Sequence, residues 1–503
     1  MLLLILILIP FLGSFLSFLS IRLCLALPRI IAMFSIFFCF FISVYLFFYS
    51  FFGCKYNNII ANHWISEFSV PWVPNFGIFF HLGLDKLSLL MILLTSFIGI
   101  IAILCEWYHD YKNIEVFYFL FQLIIAATLG VFLSLDLFLF FCFFELLLLS
   151  IYYIIVIWGY KYIAIQYTRL HAARKFFIYS QLSGLFFLLS SMLLAWVHYN
   201  SSGIWTFNYC SLLNTPMSFL TECILMFCFF LSFIIKMPLV PFHSWLSTLQ
   251  LFTPSSGSID LIGILLKTSV YGFLRFSIIF FPRAIHYFSE FFLFFGIISV
   301  IYGGFLACSQ NNIKNFISYS SISHMGIVFM ALHSENIIAY QGVILYIISY
   351  ALSTSAFLIM ASIIHNHIKS YNIFYMSDIF SNNPLLLFLF LFFSLVNLGL
   401  PCTGNFSGEF MMLWGIFYSS PWLGIALFFV FILSAIYCLT FLNKILYEST
   451  NYKETFLEVS ILNISMLIIL VVILIFLGIY PNFLIHFIYD ITAYLYQPYI
   501  PFF

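Results

Sequence analysis

Apolar runs about twenty residues long recur from one end of this chain to the other. A membrane-spanning helix needs ~20 such residues, and by that measure the sequence holds about fourteen spans. Of its 503 residues 64% are hydrophobic and 7% charged, too apolar for a soluble core and too sparsely charged for a soluble exterior. Within hydrocarbon only a helix satisfies its own backbone in one segment, and these runs are too long and too uniform to be barrel strands. The expectation is an all-α integral membrane protein of about fourteen transmembrane helices.

Spans one to three are expected over Leu2–Arg22, Ile30–Phe52 and the stretch from LGLDKLSLLM to Glu106. A polar loop carrying Lys55, Glu67, Pro71, Pro74 and His81 precedes the third. Spans four and five cover Glu115–Ser134 and Asp136–Trp158, and span six ends near His198. Spans nine, ten and eleven are read over Ile285–Cys308, Phe316–His333 and Ala339–His365, and spans thirteen and fourteen over Trp422–Leu446 and Leu457–Tyr480. Span twelve, Pro384–Trp414, is interrupted by LGLPCTGNFSGEF, and spans seven and eight lie around IIKMPLVPFHSWLSTLQLFTPSSGSIDLIGILLKTSVY.

Sorting the 17 lysines and arginines by loop gives one basic side. It holds Arg22, Arg29, Lys112, Lys161, Arg169, Arg174, Lys175, Lys314, Lys369, Lys444 and Lys453, against Lys55, Lys86, Arg275 and Arg283 on the other; the remaining two, Lys236 and Lys267, lie within spans. This positive-inside bias places both termini on the positive-poor side. MLLLILILIP lacks a charged leader and cleavage site, so it reads as the retained first span. The net charge of zero gives no surface suited to nucleic acid. The 11 cysteines are scattered without CxxC spacing and read as small apolar fillers. The 70 Phe and 32 Tyr suggest an AT-biased organellar genome more than a function for each ring.

The loop count also exposes a candidate repeat. If spans four to eight (115–280) and nine to thirteen (281–447) are five-helix copies, the odd number inverts the second relative to the first. Residues 1–114 then form three leading helices, and 448–503 a C-terminal helix. The fourth members, spans seven and twelve, are both interrupted by Pro or Gly, and each has a charge beside its break: Lys236 before MPLVP, Glu409 after LPCTGNFSG. Paired broken helices in inverted halves point to a transport site near the midplane.

Four residues stand out against the apolar background: Glu145, Lys236, Lys267 and Glu409. A charge at the bilayer centre costs roughly 2.5–3.5 kcal/mol or more, so each needs a partner or a neutral form, and such groups are suited to proton exchange. A static ion pair that fixes helix order is the plainer alternative. His324, among Ser318, Ser320, Ser321 and Ser323, and His243, after the first break, are able to relay protons between waters, or to serve as hydrogen-bonded core residues. Asp260, seven residues before Lys267, is either its partner or a helix N-terminal charge. His365 and His367 point to different faces and make a poor metal pair; Arg275 and Lys444 sit where they can snorkel, and Lys314 reads as a loop charge of the basic side. No nucleotide-binding, nucleophile or flavin motif is present.

KMPLVPFHSWL, SGSIDLIGILLKTSVYGFLRF, IKNFISYSSISHMGIV and GLPCTGNFSGEF, in that order, closely resemble the antiporter-like membrane subunits of respiratory complex I, the NADH:ubiquinone oxidoreductase. The resemblance runs from LGLDKLSLLM to span fourteen, and it fits the shorter, fourth-subunit type rather than relatives with a long lateral helix. It implies fourteen helices with two inverted five-helix repeats broken at helices 7 and 12. It also implies proton translocation along a central polar axis, driven by quinone reduction elsewhere in the complex. By motif, Glu145 and Lys236 are then the coupled ion pair, Lys267 the central lysine, His324 a relay, Glu409 the terminal proton site, and His243 the histidine after the first break. The chain itself would carry no cofactor or metal; FMN, iron–sulfur clusters, NADH and ubiquinone would sit on other subunits. Its partners would be other complex I membrane subunits, including neighbouring antiporter-like ones, and lipids. The setting would be the mitochondrial inner membrane, multi-pass, with basic loops facing the matrix and both termini the intermembrane space. One position departs: where relatives often carry histidine in span eleven, this chain has Tyr350. A cation/proton antiporter working without electron transfer, or a passive scaffold, would share much of this pattern.

Overall fold

Why the chain breaks its helices where it does is visible in a computed structural model, which describes residues 1–24, 26–53, 64–107, 109, 111–160, 168–254, 264–368, 370–376, 380, 383–447 and 459–502. Three helices come first: α1 (Leu2–Ser20), α2 (Leu27–Gly53) and α3 (Lys86–Cys105). Then follow α4 (Ile114–Leu133), α5 (Leu137–Trp158), α6 (Arg169–Ser202), α7 (Phe219–Lys236), α8 (Ser244–Phe252) and α9, which starts as Leu266–Gly272 and continues through a wider π-type turn at Phe273–Ser277 into Ile278–Phe280. The remainder comprises α10 (Pro282–Ser309), α11 (Ile313–Leu332), α12 (Ile337–Ile368), α13 (Pro384–Leu398), α14 (Gly404–Ser419), α15 (Pro421–Tyr447), α16 (Ile461–Ile479) and α17 (Asn482–Tyr496).

Among the described residues, eleven helices are long and apolar enough to cross a membrane. The other expected spans differ for local reasons. The serine-bearing α11 is buried along nearly its whole length, so it faces protein instead of lipid and needs less apolar surface. Span twelve is split into the short helices α13 and α14, and span eight carries the π-type turn; span seven also breaks, between α7, itself one of the eleven, and α8.

Helix α12 is the central column, with every residue of its most apolar 18-residue window buried. It packs on α11, α14, α16 and α17. The chain from α4 to α7 is stitched by consecutive neighbours, α4 on α5, α5 on α6 and α6 on α7; on the other side α10 holds α11 and α15, and α14 lies against α15. The two sets meet where α8 touches α11 and α7 touches α10.

The segment ahead of α3 was expected to be a polar loop and is instead an antiparallel hairpin, β1 (Ser66–Val73) and β2 (Ile78–Leu84). Its register runs from Ser66 opposite Leu84 to Val73 opposite Ile78, with an irregularity at Pro71, which has no N–H to give the ladder. Gly77, at φ +61°, closes the turn. The strands lack a clear in–out alternation because β1 is largely exposed, which is why the pattern reads as a loop. Asp136, the N-cap of α5, clamps the hairpin to the bundle by accepting from Phe79 of β2 as well as from Phe138 and Leu139. Asp85 caps α3 in a reciprocal box with Ser88.

The C-terminal region, expected as one helix over 448–503, holds two α-helices among its described residues. Pro481 cannot continue α16, and the chain restarts as α17. This amphipathic helix lies at the hairpin end, where Asp490 pairs with Lys86 at the start of α3. Beyond it the Tyr499 hydroxyl donates to the Ile278 carbonyl at 3.1 Å. Asp260 and the loop residues Lys55, Lys161, Lys369 and Lys453 lie outside the described residues.

Candidate functional site

A broken helix leaves carbonyls and amides that must be satisfied inside the protein. At the end of α7 the Ile235 carbonyl accepts from the Trp245 indole of α8 at 2.9 Å, and the Val240 amide donates to Ser299 of α10 at 3.1 Å. Lys236 occupies the last turn of α7, where the negative end of the helix dipole favours a cation. At the second break Gly399 adopts φ +92° and Leu400 donates back to Leu395 at 2.9 Å, closing the end of α13. A polar bridge holds the two half-helices to α12: Asn405 donates to Ser353 at 3.2 Å, and Ser353 to Asn397 at 3.4 Å.

The six residues singled out by sequence fall on these breaks and between them. Lys236, Lys267, His324 and Glu409 are all at most 2% exposed, whereas Glu145 and His243 are half-buried. Glu145 of α5 lies in electrostatic reach of Lys236, but the two do not touch. The lysine ammonium instead sits over the Phe144 ring, 2.8 Å from its centroid, and is 3.4 Å from the Phe144 carbonyl. One buried carboxylate oxygen of Glu145 has no hydrogen-bond partner. It rests on Gly184 of α6, where even a methyl group would collide with it. The His243 ring packs on Tyr302 at 4.9 Å.

The other three close up around Tyr350. Lys267 of α9 points its ammonium at the Tyr350 ring, 4.8 Å from the centroid. The Tyr350 hydroxyl donates to Ser321 at 2.9 Å, and its ring lies 5.0 Å from that of His324. His324 Nδ1 approaches Glu409 Oε1 at 3.4 Å, and its Nε2 shares a 2.9 Å hydrogen bond with the Tyr437 hydroxyl. Lysine, phenol, imidazole and carboxylate thus succeed one another from α9 through α12 and α11 to α14. Every one of these side chains has a proton to give, accept or pass.

A family model described as NADH:quinone oxidoreductase/Mrp antiporter, transmembrane, matches residues 134–437, the interval that contains all six of these positions. The chain belongs to that family. The family chain is 41% identical over 491 residues to NADH-quinone oxidoreductase subunit M of Buchnera aphidicola subsp. Baizongia pistaciae, covering 96% of each. It is 34% identical over 445 residues to NADH-ubiquinone oxidoreductase chain 4 of Marchantia polymorpha, covering 88% of this chain and 87% of the other. A chain of respiratory complex I from Thermus thermophilus with bound NADH shares its fold, with a TM-score of 0.85 at 24% identity and 99% of both chains covered. It is therefore a proton-translocating membrane subunit of the M or chain 4 type.

As a member of this family the chain hides two charges that its sequence misplaces. Lys314, read as a loop charge, is 1% exposed. It donates to the Thr253 carbonyl at the end of α8 at 2.7 Å and lies between the rings of Tyr371 and Tyr160, 4.4 and 4.9 Å from their centroids. Arg275, read as free to snorkel, is buried and pairs with Asp85 at 2.8 Å. The reason is the same in both: the partners come from distant segments, residues 253, 160 and 371 in one case and 85 in the other. Lys444, read likewise, crosses from α15 to the end of α10, where it donates to the Cys308 carbonyl at 3.1 Å. His365 stacks on Tyr371, and among the described residues no group of three or more His, Cys, Asp or Glu is placed to hold a metal.

Proposed function

We propose that Glu145, Lys236, Lys267, His324 and Glu409 carry the protons in this subunit, with His243 at the first break as a further relay. The observation that supports this most is the close succession of Lys267, Tyr350, His324 and Glu409 in a core where none is more than 2% exposed. Four such groups together exceed what helix packing needs, and each is costly unless it exchanges protons with its neighbours. Lys236 stands where two pulls compete, the Glu145 carboxylate and the Phe144 face with the α7 carbonyl end. A change of field along the axis would shift it between them and so alter the protonation that Lys267 favours. Tyr350 transmits by its hydroxyl, which accepts one proton while giving up another.

In this reading the chain makes fourteen passes in two inverted five-helix repeats, 115–280 and 281–447, with α7/α8 and α13/α14 as counterparts. Quinone reduction drives the transport from other subunits, which would bind FMN, iron–sulfur clusters, NADH and ubiquinone. Neighbouring antiporter-like subunits and lipids would flank it. The basic loops face the side of proton uptake and both termini the opposite side. That is matrix and intermembrane space if the membrane is the mitochondrial inner one; the higher identity to a bacterial subunit M than to a chain 4 favours the equivalent arrangement in a bacterial membrane.

The test is Lys236→Met and Glu145→Gln in the assembled complex, reconstituted into vesicles. Protons moved per NADH oxidised should fall in both. An unchanged ratio in complexes that assemble and reduce quinone would refute the reading.

A further inference from the structure

Beneath the hairpin lies a cavity of about 490 Å³ whose use the axis does not explain. Its rim includes Glu67, Cys210 and Asn214, all exposed. Its floor is the buried Asp85–Arg275 pair, with apolar walls from α3, α9 and α17. At about 30 Å³ per water the space would take on the order of fifteen. Counting Asp85, Glu67 and Arg275, the lining carries a net charge of −1, which favours a cation over an anion.

The floor connects to the axis along one helix. Lys267, Tyr271 and Arg275 are spaced four apart on α9, so they lie on one face a turn apart. Tyr271 donates to the Phe132 carbonyl at 2.9 Å and accepts from Arg275 Nε at 3.3 Å. Arg275 then reaches Asp85 Oδ2 at 2.8 Å. The π-type turn begins directly after Gly272, and such wider turns recur at functional sites. Asp85 needs no arginine to cap α3, since that bond uses its other oxygen. A pair of apolar residues would stabilise this site as well as a buried ion pair does.

We propose that this cavity is an outlet for the proton held at Lys267, through Tyr271 and the Asp85–Arg275 pair. The proposal rests on the reading of Lys267 as a proton carrier. The Lys267 ammonium releases one proton to a water spanning the turn. The Tyr271 hydroxyl takes that proton and gives up its own, which the Asp85 carboxylate receives as its hold on Arg275 loosens. Asp85 then passes the proton to cavity water and re-forms the pair. Lys267 is left neutral, one proton reaches the hairpin side, and no other bond changes. Glu409 is bypassed, so the two ends of the axis release separately.

The experiment uses the reconstituted complex and counts protons per NADH. Lys267→Met comes first: a ratio unchanged by it refutes the underlying reading, and the outlet with it. Given a loss there, Tyr271→Phe should cause the same loss with quinone reduction retained. If that variant fails to assemble, Asp85→Asn replaces it, since the amide oxygen still caps Ser88. Separately, a membrane-impermeant cationic methanethiosulfonate applied from the hairpin side should modify Cys210, lower the ratio, and be reversed by a thiol reductant, with Cys210→Ser insensitive to the reagent. With Lys267→Met lowering the ratio, a wild-type ratio in the Tyr271 or Asp85 variant, or after Cys210 modification, overturns the outlet, as does failure to label Cys210.

Discussion

Gly184→Ala offers a way to move the Glu145 carboxylate without touching its chemistry. A methyl group built on Gly184 would sit 1.7 Å from Glu145 Oε1 and 2.9 Å from Cδ. Ordinary contact needs about 3.4 Å, so the carboxylate must retreat by about 1.7 Å, and overpacking of this kind costs about 1–3 kcal/mol. That oxygen has no hydrogen bond to hold it, so the side chain will give way before the helices do. For unit charges about 5 Å apart at an effective dielectric of 20, a further 1.7 Å of separation weakens the attraction by about 0.8 kcal/mol, about fourfold in the equilibrium between Lys236 protonation states. The complex should therefore assemble, keep its quinone reductase activity, and pump fewer protons per NADH. Glu145→Asp shortens the acid by one methylene, so the Gly184→Ala/Glu145→Asp pair should relieve the crowding and assemble better than Gly184→Ala alone. Proton counting in vesicles, with thermal stability of the purified complex alongside, makes the measurement. A Gly184→Ala complex that assembles with an unaltered ratio would show that the position of Glu145 does not govern Lys236.

Lys314→Met should cost about 1–3 kcal/mol by removing a buried charge-assisted hydrogen bond to the Thr253 carbonyl, while Lys112→Met, at an exposed site, should stay within about 0.5 kcal/mol; comparing the thermal midpoints of the two complexes tests this. His81, in the hairpin outside the spans, is pushed below the ordinary histidine value of 6.5 by burial, against the opposing pull of Glu67. A depressed value means the docked hairpin holds the neutral ring, so its stabilising contribution is complete above pH 6.5 and is lost as the pH falls through the folded value. The protection of the Phe80 and Leu82 amides, taken relative to the intrinsic exchange rate at each pH, should accordingly fall below pH 6.5, and His81→Gln should flatten that dependence.

Periodic apolar runs made the helices legible because lipid demands one answer of them. The bounds of α4, α5 and α10 lie within a few residues of those expected, and the breaks before MPLVP and at GLPCTG were visible as Pro and Gly. The hairpin was not, because a largely exposed strand has no face to alternate. Nor was α17, whose amphipathic pattern follows a proline at the end of a span. Of the site, the costly charges were legible one by one, since each is conspicuous in an apolar run. Their company was not. Tyr437 looks like one aromatic among many until it meets His324, and Tyr350 looked like a lost relay until its ring was found beneath Lys267. Arg275 and Asp85 lie 190 positions apart, and nothing local marks them as a pair.

Helix α17 and the turn after it touch three things that are made much earlier: Lys86 at the head of α3, the carbonyl of Ile278 at the end of α9, and the cavity, to which Ile491, Tyr494 and Leu495 contribute a wall. A chain threaded into the bilayer from its N-terminus therefore keeps the Asp85–Arg275 floor uncovered until residues 482–502 arrive. Residues 482–502 are thus made after the other walls of the cavity and add the last of them. Insertion of the earlier helices and completion of this cavity are in this way separated in time.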